Sequence, residues 1–180
     1  RFNDYIINNN YLDLPVVGIE PSCLLTFSDE YLTLKKVNNR EKIKNKFYLL
    51  EEFILERIRN DNAIKKNNFD QNVLIHGHCH QKSQDRMKGL TNLLSELNIK
   101  NKMIESSCCG MAGSFGYDSK NYEVSKKMAN LSLIPAINNS NEKDFIIANG
   151  TSCRHQISDL SEKKGKHVSE LLFKIFETVN

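Results

Sequence analysis

The sequence predicts an α/β fold built on a parallel sheet, and three observations lead to that prediction. Short β-branched runs alternate along the chain with longer amphipathic stretches, the order typical of strands joined by helical crossovers. The runs are almost continuously apolar, as expected of strands buried on both faces. Each run also leads into a cysteine, and sites in parallel sheets gather at the carboxyl ends of strands.

Four runs have strand character, and they share a short apolar body with a cysteine shortly after it. They are Val16–Glu20, Val73–His76, Lys102–Glu105 and Phe145–Ala148. In chain order they lead to Cys23, Cys79, the pair Cys108–Cys109 and Cys153. Because sites collect at one edge of a parallel sheet, we expect all five cysteines on one rim of a sheet.

The stretches between these runs carry apolar side chains at helical spacing, which predicts helices with one face in the core. They are Tyr48–Ile58, Met87–Leu97, Tyr122–Leu131 and Val168–Val179. Pro135 is expected near the end of the third helix, since proline commonly follows a helix terminus. Leucine stripes of this kind indicate core packing and imply no cofactor.

Composition excludes several classes of protein. Of the 180 residues, 39% are hydrophobic and 26% are charged, as in an ordinary folded domain. The net charge is +3 with Lys and Glu intermixed, so no nucleic acid partner is expected. No apolar run approaches the roughly 20 residues of a membrane span, and no signal peptide is evident. We expect a cytoplasmic location, with peripheral attachment to the cytoplasmic membrane as the alternative.

Cysteine usage predicts a metal centre. Thiolates are preferred ligands of Zn²⁺ and of iron–sulfur clusters, and Cys79, Cys108, Cys109 and Cys153 would bring four sulfurs from three strand ends. The alternative is a set of free thiols, some of them in the core, since buried free cysteine is common. Thiol–disulfide exchange by Cys108 and Cys109 is a further alternative, although no Cys-x-x-Cys motif is present.

Glycines follow the cysteine pair at three-residue spacing. Gly110 and Gly113 would let the backbone approach an inorganic core and donate N–H groups to its sulfurs, so both are predicted cofactor-binding residues. A phosphate-binding loop is the alternative, but the G-x-G-x-x-G spacing is not met.

Histidines accompany the cysteines. His78 and His80 flank Cys79, and His155 lies two residues after Cys153. Each is a candidate additional ligand, or a hydrogen-bond partner of one, and Cys23 is a further candidate ligand. A structural histidine without a metal remains the alternative at these positions.

A short internal repeat indicates how the chain is organised. The segment 16–23 aligns without gaps on 146–153, and both end in Ser-Cys. Two homologous halves are therefore expected, with residues 1–60 holding the end of a first repeat and connecting helices, and 61–180 a second repeat. A chance match is the alternative. Since the chain opens on Arg1 in what looks like the middle of a fold, we expect it to be a piece of a longer protein.

Three motifs resemble those of a known family. Ser-Cys-Cys-Gly-Met-Ala-Gly-Ser-Phe-Gly-Tyr at 107–117 resembles the signature of the cysteine-rich CCG domain, and 76–83 (HGHCHQKS) and 150–157 (GTSCRHQI) resemble companion motifs in one branch. That branch consists of fused proteins with an FAD-linked oxidase domain, a ferredoxin-like iron–sulfur segment and two CCG repeats. Its members include D-lactate, glycolate and D-2-hydroxyglutarate dehydrogenases, and one subunit of heterodisulfide reductase is a more distant relative.

The resemblance implies a Rossmann-like parallel sheet and a ligand set. The family pattern has a leading cysteine, the Cys-Cys-Gly and a closing Cys-x-x-Cys, which hold a noncubane [4Fe–4S] cluster in the heterodisulfide reductase relative. Cys79, Cys108, Cys109 and Cys153 match four of these positions, but Gln156 stands at the fifth. A four-cysteine cluster, a histidine-completed site and a Zn²⁺ or mononuclear iron ion therefore stay open. Cys23 matches the closing cysteine of the preceding repeat.

The resemblance also implies a function. It predicts the electron-transfer part of an FAD-linked D-2-hydroxyacid dehydrogenase, with FAD in another part of the protein and a quinone or membrane acceptor. The fragment alone is expected not to be catalytic, and no catalytic residue is assigned. The alternative is a structural metal-binding domain that serves as an interaction or capping lobe without a redox role.

Overall fold

The computed structural model describes residues 2–34, 40–60 and 68–176, and within them it has the predicted α/β architecture. The strands are β1 (Val16–Gly18), β2 (Phe47–Leu49), β3 (Val73–His76), β4 (Asn101–Met103) and β5 (Phe145–Ala148). The helices are α1 (Phe2–Asn8), α2 (Pro21–Ser28), α3 (Glu30–Thr33), α4 (Arg40–Ile43), α5 (Leu50–Asn60), α6 (Cys79–Ser83), α7 (Met87–Glu96), α8 (Tyr122–Asn130), α9 (Leu133–Asn138), α10 (Thr151–Leu160) and α11 (Val168–Phe176). Short 3-10 turns lie at Tyr11–Asp13, Lys44–Lys46 and Phe115–Tyr117.

The described strands form two parallel sheets. In the larger one the order is β4-β3-β5, with Val73 opposite both Asn101 and Phe145. In the smaller one β1 pairs with β2, and Val16 lies opposite Phe47. Parallel pairing confirms the predicted sheet type, but the expectation that all five cysteines share one rim was wrong. Cys23 follows β1 of the smaller sheet, while the other cysteines follow strands of the larger one.

Apolar residues fill both faces of the larger sheet, which explains the unbroken apolar runs. Side chains alternate along β3 and β5, so that Val73 and Ile75 pack on one face with α7 and α11. Leu74, Ile146 and Ala148 pack on the other face. That second face also buries Cys109 and Cys153, so the alternation of the strands already decides which side of the sheet holds the inner cysteines.

Two helix predictions needed correction. Residues 47–49 were expected at the start of a helix but form β2, because parallel pairing with β1 and burial of Phe47 and Leu49 outweigh the helical spacing. The third predicted helix ends at Asn130, and Pro135 lies inside the first turn of α9. Proline is tolerated there because N–H groups in the first turn have no intrahelical partner. The last residues of the predicted terminal helix, 177–179, lie outside the described residues.

Polar bonds join the segment before residue 60 to the larger sheet. Thr151 donates to the Glu20 carboxylate from its backbone N–H (2.9 Å) and its hydroxyl (2.8 Å), which anchors the start of α10. Gln81 and Asn149 each donate to Oε1 of the buried Glu51, at 2.8 and 3.0 Å. These bonds fix the helices that follow β3 and β5 to α5. Among the described residues, no helix combines the length and the apolar character that crossing a membrane requires.

Candidate metal centre

Four cysteines meet beyond the carboxyl ends of the three strands of the larger sheet. Cys79 is the first residue of α6, Cys108 and Cys109 lie in the loop after β4, and Cys153 is the third residue of α10. All four line one cavity of about 410 Å³. The structure thus brings together the cysteines that the sequence predicted as one site.

The four thiols form an inner and an outer pair. Cys109 and Cys153 are buried, with 4% and 3% of their surface exposed, and their Sγ atoms lie 3.3 Å apart. Cys108 is half-buried and its thiol is in hydrogen-bond contact with those of Cys79 and Cys109, while Cys79 is exposed. The sulfurs therefore run continuously from the core to the open side of the cavity.

The close contacts between thiols separate their acidities. Hydrogen bonds from Cys109 and Cys79 lower the pKa of Cys108, and the bond with Cys109 lowers the pKa of Cys153 to about 5 despite its burial. The same bonds raise the pKa of Cys79 and Cys109, with burial acting in the same direction. Such a group loses its protons in coupled steps, and the first thiolates form readily. Thiolate is the form that binds metal.

Lys82 supplies positive charge at the edge of this group. Its ammonium donates to the backbone carbonyls of Ser106 and Ser107, directly before the cysteine pair. Burial lowers the pKa of Lys82, while attraction to the four cysteines acts to raise it. The bonds fix the loop after β4 to α6, and the charge offsets that of nearby thiolates.

The glycines after the cysteine pair have distinct roles. Gly110 has φ +92°, and its N–H donates to Cys108 Sγ at 3.3 Å. A Cβ on Gly110 would overlap the carbonyl oxygen of Ser125, so only glycine lets the loop pack this closely on α8. Gly113, with φ +69°, lines the cavity. An N–H···S bond beside a cysteine is the contact predicted for Gly110, whereas a cofactor role for either glycine stays a prediction.

The three predicted histidines lie in different surroundings. His78 lines the cavity and its Nδ1 accepts the N–H of His80, while burial lowers its pKa and so favours the neutral, metal-binding form. His80 also lines the cavity, but its Nε2 contacts Gln84 (3.1 Å) and Glu30 (3.3 Å). His155 is exposed and its Nδ1 is 2.6 Å from the Tyr117 hydroxyl, outside the residues that line the cavity.

His76 was absent from the predicted site and is part of the cluster. One of its ring nitrogens and the Sγ atoms of Cys109 and Cys153 lie within 4.8 Å of one another. His76 is the last residue of β3, two positions after Leu74, which packs on the face that buries both cysteines. Two-residue alternation along the strand was the signal that pointed to it.

Cys23 and Gln156 do not line the cavity. Cys23 is exposed on α2, although its neighbour Ser22 is among the lining residues. Gln156 is buried, and its amide Nε2 donates to Ser125 Oγ (3.0 Å) and to the Ser125 carbonyl (3.3 Å). The residue at the family's fifth cysteine position thus links α10 to α8 behind the cysteine loop.

The donor set fits a soft or borderline metal. Four thiols and a buried imidazole suit Zn²⁺, iron or an iron–sulfur cluster, whereas Mg²⁺ and Ca²⁺ prefer oxygen ligands. The buried Nε2 of His76 has no hydrogen-bond partner among the described residues, which is a further sign of room for a ligand. Cys79, Cys108, Cys109 and Cys153 are the residues that would hold the group.

Comparison with known proteins places this cavity within a recognised domain. Residues 73–158 match the model of the cysteine-rich domain named CCG. The match begins at β3 and ends within α10, so it contains the four cavity cysteines.

Among curated proteins, the chain is similar to much longer dehydrogenases. It is 23% identical over 161 residues to D-2-hydroxyglutarate dehydrogenase of Pseudomonas putida, which covers 88% of this chain and 15% of that protein. The Escherichia coli K12 protein of the same name is 24% identical over 178 residues, covering 97% of this chain and 17% of that one.

One component of another dehydrogenase is similar too. The third-lettered subunit of the anaerobic glycerol-3-phosphate dehydrogenase of Escherichia coli K12 is 22% identical over 160 residues, covering 88% of this chain and 40% of that one. The chain thus spans less than half the length of each of these relatives. No solved structure matches the chain.

Proposed function

The chain carries a CCG cysteine-rich domain at residues 73–158, and from that premise we propose that it is the metal-binding, electron-transfer part of a larger oxidoreductase. The observation that carries the proposal is the convergence of four cysteines on one cavity. The similar proteins bear the names of dehydrogenases, which supports a redox role over a purely structural one.

The proposed whole protein is an FAD-linked D-2-hydroxyacid dehydrogenase of the D-lactate, glycolate or D-2-hydroxyglutarate class. The hydroxy acid would be oxidised at FAD elsewhere in the same polypeptide or complex, and electrons would leave through iron–sulfur domains to a quinone or another acceptor. Similarity to several D-2-hydroxyglutarate dehydrogenases supports this class. The partners of this chain are then the FAD-linked oxidase domain and a ferredoxin-like domain.

The residues of the cavity have defined tasks in this proposal. When bound, an iron–sulfur centre supplies one-electron transfer, with [4Fe–4S] the proposed type. Cys79, Cys108, Cys109 and Cys153 hold it as thiolates, and the Gly110 N–H and the Lys82 ammonium stabilise negative charge on the sulfurs. The buried face formed by Cys109 and Cys153 keeps water from the inner side.

A structural Zn²⁺ or iron ion is the second candidate, and one observation favours it. Gln156 stands at the fifth cysteine position of the family pattern and its amide is engaged by Ser125, so this position supplies no thiolate. A smaller ligand set suits a single four-coordinate ion in an interaction or capping domain.

Iron and acid-labile sulfide analysis of the anaerobically purified chain separates the two candidates. The electron-transfer proposal predicts stoichiometric iron and sulfide and a broad visible absorption that bleaches on reduction. Stoichiometric zinc without sulfide would favour the structural ion. A chain free of metal after anaerobic reconstitution with Fe²⁺ and sulfide, and with Zn²⁺, would refute both.

A further inference from the structure

We propose that His76 is a direct nitrogen ligand of the metal centre, together with the thiolates of Cys109 and Cys153. This inference rests on the proposed function, because it needs a metal in the cysteine cavity. It adds a ligand that none of the cysteine motifs predicts.

The position of His76 is the first argument. A ring nitrogen of His76 and the two sulfurs lie within 4.8 Å of one another, and ligands around one four-coordinate ion are typically about 3.5–4 Å apart. The three side chains are 2%, 4% and 3% exposed, so they form the buried wall of the site. Cys79 and Cys108 lie on its open side.

The hydrogen bonding of the imidazole is the second, independent argument. Nδ1 lies 2.9 Å from Ser106 Oγ, which fixes the ring, while Nε2 is buried without a partner among the described residues. A buried polar atom left unpaired costs about 1–3 kcal/mol, so proteins seldom keep one without a reason. Metal-binding histidines usually show this pattern, in which the nitrogen away from the metal donates its N–H to a fixed acceptor.

The fold explains why the imidazole lies there. His76 ends β3, the central strand of the larger sheet, and pairs with Ala148 of β5. Cys153 follows five residues after Ala148, in α10, and Cys109 follows β4 on the other side. His76 therefore stands between the two strands whose ends carry the inner cysteines, on the most rigid element of the site.

A structural role is the competing explanation, in which His76 only accepts a hydrogen bond from the Cys153 thiol. The two roles differ in which substitutions they tolerate. Glutamine has a polar end group that can accept a hydrogen bond but is a poor ligand for a soft metal, whereas cysteine is a good ligand. His76→Gln and His76→Cys therefore separate ligation from packing.

The test is anaerobic Co²⁺ titration of the metal-free full chain, followed by its visible d–d and thiolate charge-transfer absorption. We expect His76→Gln to weaken Co²⁺ binding by more than about 100-fold, beyond the effect of losing a hydrogen-bond partner of a ligand. His76→Cys should bind within about tenfold of wild type and gain thiolate charge-transfer intensity. His167→Gln, at another buried histidine whose ring contacts Ser169 and Ile19, should bind like wild type.

The outcomes distinguish this inference from the proposed function. Wild-type affinity in His76→Gln, with binding lost in Cys109→Ala, would overturn the ligand role of His76 and leave the metal site standing. Unchanged binding in both variants would overturn the site itself. If circular dichroism shows that His76→Gln does not fold, the spectrum of His76→Cys decides: added charge-transfer intensity supports ligation, and an unchanged spectrum refutes it.

Discussion

The Sγ atoms of Cys109 and Cys153 lie 3.3 Å apart, although 44 residues separate the two cysteines in the chain. One comes from the loop after β4 and the other from the helix after β5, so the contact joins strands on opposite sides of β3. Both cysteines are buried, and two thiols placed this closely inside a core share a proton or bind a common metal. The pair is the inner end of the proposed centre.

Replacement of Cys109 by alanine should abolish metal retention. Cys109 contacts both Cys108 and Cys153, so its loss interrupts the sulfur group in the middle. The measurement is metal and sulfide per chain after anaerobic purification.

The matched control is Cys23→Ala, because Cys23 is exposed and does not line the cavity. We expect this variant to keep most of the metal. Equal loss in the two variants would mean that Cys23 is a full ligand, contrary to its position on α2.

The sequence was sufficient to predict the larger sheet and the four cavity cysteines. Val73–His76 and Phe145–Ala148 form strands with the predicted bounds, because continuous apolar runs that end in Gly-rich segments are typical of buried parallel strands. Once the strands are parallel, residues that follow them must lie at one edge. Motif and topology therefore gave the same four positions.

What the sequence did not predict depended on contacts distant in the chain. Residues 47–49 look helical in isolation, and pairing with β1, about 30 residues away, makes them a strand. His76 resembles an ordinary strand residue until Cys109 and Cys153 fold against it. The division into residues 1–60 and 61–180 stays a prediction, although Cys23 and Cys153 each stand third in the helix that follows a strand.

Gly110→Ala should destabilise the protein more than Gly113→Ala. Both glycines have positive φ, which costs other residues roughly 1–2 kcal/mol. At Gly110 the new Cβ would also overlap the Ser125 carbonyl, and such overpacking adds about 1–3 kcal/mol. At Gly113 no described atom lies within 4 Å of the Cβ position.

Chemical denaturation of the metal-free variants measures this difference in the free energy of unfolding. The metal-free form is required because metal binding stabilises the folded state by an amount that itself depends on the loop. Equal stabilities would contradict the tight packing of Gly110 on α8.

Gln156→Ala should lower the free energy of unfolding by about 1–3 kcal/mol, the cost of leaving buried polar atoms unpaired. The amide of Gln156 bonds to both the hydroxyl and the carbonyl of the buried Ser125. Gln71→Ala is the control, because Gln71 bonds to the Lys143 carbonyl at the surface, and a change within about 0.5 kcal/mol is expected there. A loss of the same size in both variants would mean that Gln156 adds nothing specific.

Glu51→Gln should stabilise the protein at neutral and alkaline pH. Burial raises the pKa of Glu51 from 4.5 to about 7, and repulsion from Glu52 adds to the effect, against the hydrogen bonds from Gln81 and Asn149. Between pH 4.5 and about 7 the folded state keeps a proton that the unfolded chain has lost. The stability that this protonated carboxyl provides is therefore complete below pH 4.5 and is lost as the pH rises through about 7.

Glutamine keeps an oxygen that accepts from Gln81 and Asn149 but carries no charge, so the variant avoids the cost of a buried carboxylate. We expect the free-energy difference between variant and wild type to grow by on the order of 1–3 kcal/mol from about pH 4 to about pH 8. Urea denaturation of the metal-free chain across that range is the measurement. Glu56→Gln, on the exposed side of α5, should show no such trend. A pH-independent difference for Glu51→Gln would mean that the buried carboxyl does not titrate in this range and that its bonds alone determine its contribution.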